Sequence, residues 1–411
     1  MKNSPALEQF IQQIPKTDIH VHLDGSLRLS TLIELAKASH IELPSYEEAG
    51  LMETTFKEQY TDLPDYLKGF AYTCSVLKEP ENLERVAYEF AMDNIAENVR
   101  YVEVRFAPQL HVTDSFKIEE IVRAVCRGMD RAQKEQNLSE AVRNGSDIPF
   151  NYGLILCAMR CFNKFMSPYY AALIEAMPYA PKREVFAVAS LELVRAAEKL
   201  AHEQNLPVVG FDLAGEESGY PAIYHKTAYQ YASTHFIKKT VHAGEAYGPE
   251  SIFQAITECH ANRIGHGTFL FAEEMIQDKA IENPAAFVQH LAEYIATQRI
   301  TIEVCPTSNL QTNPKIKSIA THPLKKMLQQ TLSVSICTDN RLVSRTTVTN
   351  EILQVARELN ITRKQLRNII LAGFKGSFFP GSYMEKRDYV RRVINRYDQL
   401  ETQLLGPEFS N

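Results

Sequence analysis

Eight short, strongly apolar runs recur along this chain: Thr17 to Leu23, Val99 to Phe106, Tyr152 to Met159, Pro207 to Leu213, Ile237 to Ala243, Arg263 to Gly267, Arg299 to Cys305 and Ser333 to Thr338. Runs such as Val208-Val209-Gly210-Phe211 are apolar at successive positions rather than at alternate ones. A strand sends successive side chains to opposite faces, so a run of this kind is covered on both faces, as in a parallel sheet. Between the runs lie longer amphipathic stretches of helical period, among them Glu84 to Asn94, Glu184 to Gln204 and Ser251 to Glu258. Strand-plus-helix units repeated in this way close into an α/β (β/α)8 TIM-type barrel. An open, doubly wound sheet ranks lower, because no Gly-x-Gly-x-x-Gly follows any strand.

Residues 1–411 read as a single barrel domain, since barrels with insertions reach this length. The long connection after the first strand holds two helical patterns, Leu29 to Lys37 and Tyr60 to Leu77. It leaves the C-terminal end of its strand, where barrels place the loops that cover their sites, so about residues 29–80 read as a helical lid. Thr349 to Leu359, Arg363 to Phe374 and Glu385 to Leu404 form a C-terminal helical region over about 349–405. The net charge of −6 argues against a nucleic-acid or anionic-membrane partner, and no apolar run is long enough to span a bilayer. Seven scattered cysteines without a Cys-x-x-Cys read as free thiols. With no signal-peptide pattern in Met1 to Pro15, the expected location is cytoplasmic.

Polar chemistry gathers where the strands end. In Thr17-Asp18-Ile19-His20-Val21-His22-Leu23-Asp24-Gly25 the strand period puts His20 and His22 on one face. Two imidazoles side by side on a rigid strand are half of a metal site; the bland reading is a hydrogen-bonded pair on a half-buried face. Further ends carry Asp212-Leu213-Ala214-Gly215-Glu216, His242-Ala243-Gly244-Glu245, Gly265-His266-Gly267 and Thr338-Asp339-Asn340. In a parallel barrel all of them converge on one mouth. His20, His22, His242 and Asp339 then supply three imidazoles and a carboxylate, a set that suits one Zn²⁺ with room for water. Glu245, past a glycine turn, is placed to donate and accept a proton, and His266 to hold or deprotonate the water. Asp24 reads as a helix cap or a substrate group, and Asp212 as a support or a substrate contact. Arg105 and Arg160 rank as salt-bridged supports above substrate binding, and Cys305 as a small buried apolar group. His40, His111, His202, His225, His235, His260, His290 and His322 have no partner at ligand spacing and are assigned to surface or capping roles.

These residues resemble a known family. His-Val-His-Leu-Asp-Gly, Asp-Leu-Ala-Gly-Glu-Glu, His-Ala-Gly-Glu, Arg-Ile-Gly-His-Gly, Glu-Val-Cys-Pro-Thr-Ser-Asn and Cys-Thr-Asp-Asn, between residues 20 and 340, look like the ordered signatures of adenosine deaminases in the amidohydrolase superfamily. The resemblance implies zinc on His20, His22, His242 and Asp339, a proton from Glu245 to purine N1, and His266 assisting the attacking hydroxide. It also implies that the Gly215 backbone N–H meets purine N3 and that Asp24 meets the ribose 5′-hydroxyl. The implied reaction is hydrolytic deamination of adenosine, with 2′-deoxyadenosine as a further substrate, to inosine (or its deoxy analogue) and ammonia. Many members carry a second aspartate where this chain has Asn340; an amide donates to the acceptor N7 at any pH, so Asn340 is expected to keep that contact. Adenine or a modified adenosine of the futalosine type is the alternative substrate, and a non-catalytic binding protein on the same scaffold the alternative outside enzymes. A binuclear amide or ester hydrolase is disfavoured, since the fourth strand end offers no lysine.

Overall fold

The strands of the computed structural model, which describes residues 4–406, are β1 (Lys16–His22), β2 (Val99–Phe106), β3 (Asn151–Met159), β4 (Val208–Ala214), β5 (Lys238–Ala243), β6 (Arg263–His266), β7 (Thr301–Val304) and β8 (Val334–Ile336). They form one eight-stranded sheet in sequence order, each strand parallel to the next. A parallel bridge between Val21 and Asp339 joins the last strand end to the first. There the His22 N–H donates to the Asp339 carbonyl at 2.7 Å, and the Asp339 N–H to the His20 carbonyl at 2.9 Å. The contact that closes the barrel therefore also sets Asp339 beside the histidine pair.

Helices lie between the strands where the apolar periodicity put them, at Pro80–Ala96, Lys182–His202 and Pro249–Thr257, and a further long one spans Ile118–Asn137. β4 and β5 pair only at Gly210–Lys238 and Phe211–Lys239, and their mouth ends diverge. Side chains bond the carbonyls left over on β5: the Tyr229 hydroxyl donates to Thr240 O at 2.9 Å, and the Arg160 guanidinium to His242 O. Sequence and structure part company in two places. The pattern over Tyr60 to Leu77 is two short helices, Leu63–Leu67 and Phe70–Ser75. Asp62 caps the first by accepting from the Asp65 N–H, and the chain restarts after Gly69, which packs so close to Phe56 that a Cβ would lie 3.1 Å from the ring. Arg299 is not in a strand: it takes φ 54° as the left-handed end of the helix Pro284–Gln298, so β7 begins at Thr301.

The barrel interior is unusually polar at mid-height. Arg105 bonds Asp212 at 2.8 Å and Glu303 at 2.9 Å, and Arg263 pairs with Glu303 and Glu103, all fully buried. The Arg263 guanidinium also lies 3.7 Å from the Phe378 ring centroid, which covers the bottom of the barrel. All seven cysteines are free thiols, and no helix among the described residues is long and apolar enough to cross a membrane.

Candidate active site

His20 and His22 end β1, His242 ends β5, and Asp339 follows β8; one ligand atom from each lies within 4.8 Å of all the others. His20 Nε2 and His22 Nε2 are each 3.5 Å from Asp339 Oδ1, and His22 Nε2 is 3.1 Å from His242 Nε2. In a tetrahedral site with bonds of about 2.1 Å the ligand atoms stand about 3.4 Å apart, so this spacing fits a cation of zinc's size. The donor set points the same way. His20 Nδ1 bonds Glu303 at 2.8 Å and His242 Nδ1 lies 3.1 Å from Asp212. Burial alone would raise both carboxyls, but Arg105 and Arg263 around Glu303, and His242 and Arg105 around Asp212, hold them well below the usual carboxylate range. Ionised carboxylates only accept, so each Nδ1 carries a proton and each Nε2 is turned to the cluster. His20 Nε2 is buried and has no hydrogen-bond partner among the described residues, and burial lowers His22 to about 3, leaving a neutral imidazole.

The backbone reaches this arrangement through unusual conformations. His266 and Asp339 sit at φ 64° and 61°, a region that non-glycine residues enter at a cost of order 1–3 kcal/mol and that clusters at functional sites. Gly244, between His242 and Glu245, has φ 71°, and a Cβ there would meet Ile252 at 2.6 Å. That turn brings Glu245 Oε2 to 3.5 Å from His266 Nε2, in a second cluster shared with Asp339. Burial, together with the negative charges of Asp339 and Glu217, raises the Glu245 pKa well above the usual range, so its carboxyl is held protonated.

Asp24, Gly215 and Asn340 line the same cavity, of about 630 Å³, as His22, His242, Glu245, His266 and Asp339. Leu63, Tyr66, Phe70 and Cys74 form another wall of it. The candidate metal, acid and substrate-contact residues therefore meet in one place. Asp24 does not cap the helix Leu29–Ala38, whose N-cap is Arg28, and its Oδ1 is buried without a hydrogen-bond partner among the described residues. Asn340 Nδ2 donates to the Tyr66 hydroxyl at 2.9 Å. Asp212 supports His242, and Arg105 is the ion-paired support expected of it. Arg160 is a support of another kind, donating to the backbone carbonyls of Tyr220 and His242.

Of the histidines assigned to surface or capping roles, three are buried, and one of them, His322, does cap a helix, accepting the Leu324 N–H at the start of Leu324–Gln329 at 3.0 Å. His111 lies 3.7 Å from Asp24, His225 bonds Ser190 at 2.6 Å, and His322 bonds Asn309 at 3.2 Å. Their partners are distant in sequence, which spacing alone cannot register. Glu217, quoted within a motif but given no role, accepts from the consecutive N–H groups of Gly244, Glu245, Ala246 and Tyr247 at 2.8, 2.9, 2.7 and 3.0 Å, and from the Ser251 hydroxyl. The only hint was its position beside a strand-end carboxylate.

A parallel barrel whose mouth gathers a His3Asp cluster, a protonated carboxyl and a further imidazole defines a barrel hydrolase with a candidate metal centre. The sequence profile of the adenosine deaminase family matches residues 15–177 and 180–395. An adenosine deaminase of Mycolicibacterium vanbaalenii is 35% identical over 389 residues, 93% of this chain and 95% of the relative. The chain belongs to the adenosine deaminase family, hydrolases that deaminate a purine ring. Its fold is shared with a zinc-bound amidohydrolase of Burkholderia ambifaria (TM-score 0.73, 20% identity, 99% of this chain and 97% of that one). It is shared equally with an Arabidopsis N6-mAMP deaminase (TM-score 0.70, 24% identity, 95% and 99%).

Proposed function

We propose that this protein hydrolyses adenosine, and 2′-deoxyadenosine, to inosine or deoxyinosine and ammonia, with one Zn²⁺ on His20, His22, His242 and Asp339. The observation that carries the reading is the buried carboxyl of Glu245, 3.5 Å from His266 and beside the His3Asp cluster, where burial and the neighbouring negative charges favour its protonated form. Zn²⁺ held there supplies, when bound, a water nucleophile available at neutral pH.

The residues divide the remaining work. Attack of oxygen at C6 pushes electron density onto N1, and the protonated Glu245 meets that charge by donating to N1. His266 assists the attacking oxygen from the neighbouring side. The water oxygen ends as the C6 carbonyl oxygen, the C6–N6 bond breaks, and the two protons of water end on N1 and on the departing ammonia, leaving Glu245 protonated again. The Gly215 N–H meets N3, Asp24 meets the ribose 5′-hydroxyl, and the second N–H of the Asn340 amide is available to N7 while the first is given to Tyr66. We read about residues 29–80 as a lid over the bound nucleoside. A reducing compartment such as the cytoplasm suits the free thiols.

The test is the ultraviolet change when adenosine, 2′-deoxyadenosine or adenine is added to zinc-loaded protein. Metal analysis is expected to find about one zinc per chain. Glu245→Gln is expected to keep that zinc and to lose at least about 100-fold in kcat, since it removes the proton meant for N1. Near-wild-type kcat in that variant would overturn the mechanism, and faster turnover of adenine than of adenosine would overturn the substrate.

A further inference from the structure

A chain of buried hydrogen bonds runs from the backbone to His266. The Leu324 N–H donates to His322 Nδ1 at 3.0 Å, His322 Nε2 meets Asn309 Oδ1 at 3.2 Å, and Asn309 Nδ2 meets His266 Nδ1 at 3.0 Å. His266, Asn309 and His322 are all essentially inaccessible to water. The direction of every bond follows from the first. A backbone N–H can only donate, so His322 Nδ1 bears a lone pair and the His322 proton sits on Nε2. That proton faces Asn309, whose side-chain oxygen must accept it; the reversed amide would set two donors against each other. The Asn309 NH2 is then turned to His266, and His266 Nδ1 must be a bare acceptor. The His266 proton is left on Nε2, the atom that faces Glu245 in the cavity and has no hydrogen-bond partner among the described residues.

We propose that Asn309 and His322 are positioning residues that fix His266 in its Nε2–H tautomer, so that His266 donates a hydrogen bond to the attacking oxygen and does not take its proton. The identity of that oxygen rests on the deaminase reading; the tautomer rests on the relay alone. Asn309 comes from the helix Pro306–Thr312 after β7, and His322 from the turn before the helix Leu324–Gln329. The relay thus ties the end of β6 to the segment between β7 and β8. It also narrows the two roles that a histidine at a strand end leaves open. A general base needs a lone pair at the reacting atom, and here that atom carries a proton.

The test uses zinc-loaded protein labelled with ring ¹⁵N-histidine, His266 and His322 being assigned by single substitution. The nitrogen shifts are expected to report His266 as neutral with its proton on Nε2. Asn309→Asp replaces the donor facing Nδ1 with an acceptor of the same shape. His266 is then expected to move its proton to Nδ1, with kcat falling on the order of 100-fold, as when a donor to a reacting oxygen is removed, and KM changing less than about twofold. Should that variant fail to fold, His322→Gln and His322→Leu decide. Gln keeps a donor towards Asn309 and should hold the His266 Nε2–H tautomer, whereas Leu should lose it together with at least about tenfold in kcat relative to Gln. A wild-type His266 protonated on Nδ1, or a tautomer unmoved in both Asn309→Asp and His322→Leu, would overturn the proposal. Wild-type protein that shows the Nε2–H tautomer yet deaminates no purine supports the relay and overturns the deaminase reading.

Discussion

Glu351 sits buried in the helix Val348–Glu358, one carboxyl oxygen accepting the Thr307 N–H at 3.1 Å. Burial, only partly offset by the hydrogen bonds from Thr307 and Thr346, raises its pKa from the ordinary 4.5 to about 7. In the unfolded chain the group ionises at its ordinary value. Between about 4.5 and 7 the folded state therefore keeps a proton that the unfolded state releases, and stability falls as pH rises through that window. The loss amounts to roughly 3 kcal/mol from one such group, complete above the upper pKa and absent below the lower. Glu351→Gln keeps an acceptor for the Thr307 N–H and removes the titration. Urea unfolding from about pH 5 to about pH 7.5 should show the variant gaining on the wild type by that amount as pH rises. Parallel profiles for the two proteins would show that Glu351 does not carry this pH dependence.

At the scale of elements, the turn from Gly244 to Tyr247 decides where the acid stands. A positive-φ glycine opens it, and the Glu217 carboxylate gathers its successive N–H groups from outside the strand. Glu217→Gln leaves one acceptor oxygen and turns an amide donor towards N–H groups that then lack a partner, at a cost of about 1–3 kcal/mol. We expect a lower urea midpoint and a fall in kcat larger than any change in KM, because the displaced group is Glu245 and not the purine-binding wall. An unchanged kcat with only the midpoint lowered would show that the turn holds Glu245 without this staple. This turn also marks how far the site was readable from sequence. His20, His22, His242, Glu245, His266 and Asp339 stood out because strand period and strand ends are local properties, and a parallel barrel brings strand ends together. Glu217, His111 and His322 did not stand out, because their roles depend on partners such as the 244–247 turn, Asp24 and Asn309, which are adjacent only after folding. The left-handed backbone of His266 and Asp339 was equally hidden, since nothing local in a non-glycine residue announces it. The 60–77 pattern forms two short helices, Leu63–Leu67 and Phe70–Ser75, which its periodicity does not tell from one.

In the whole molecule, the eight apolar runs made the barrel legible because parallel strands buried on both faces leave that pattern; what they could not show is that the barrel interior is charged. Arg105 is the centre of that charge. It bonds Asp212 at 2.8 Å and Glu303 at 2.9 Å, and these two carboxylates in turn bond His242 and His20, two of the candidate metal ligands. Without Arg105, Glu303 keeps Arg263 but Asp212 loses its guanidinium partner, so burial pushes Asp212 towards its neutral form, and a neutral carboxyl no longer fixes the imidazole proton on Nδ1. Arg105→Met keeps much of the volume and removes the guanidinium, leaving partly uncompensated charge in the core. Breaking a buried ion pair from one side costs about 3–5 kcal/mol, which should appear as a lower urea midpoint with the slope preserved. The loss should extend to the metal: loosening the groups behind two ligands is expected to weaken zinc binding by about 10- to 100-fold, read by chelator competition on the folded variant. The two effects are one event seen from two sides, since a cation bound only by the folded state stabilises it by mass action. Zinc should therefore raise the unfolding midpoint of the wild type more than that of Arg105→Met. Equal shifts in both proteins would mean that the interior charges hold the barrel together without orienting the ligands at its mouth.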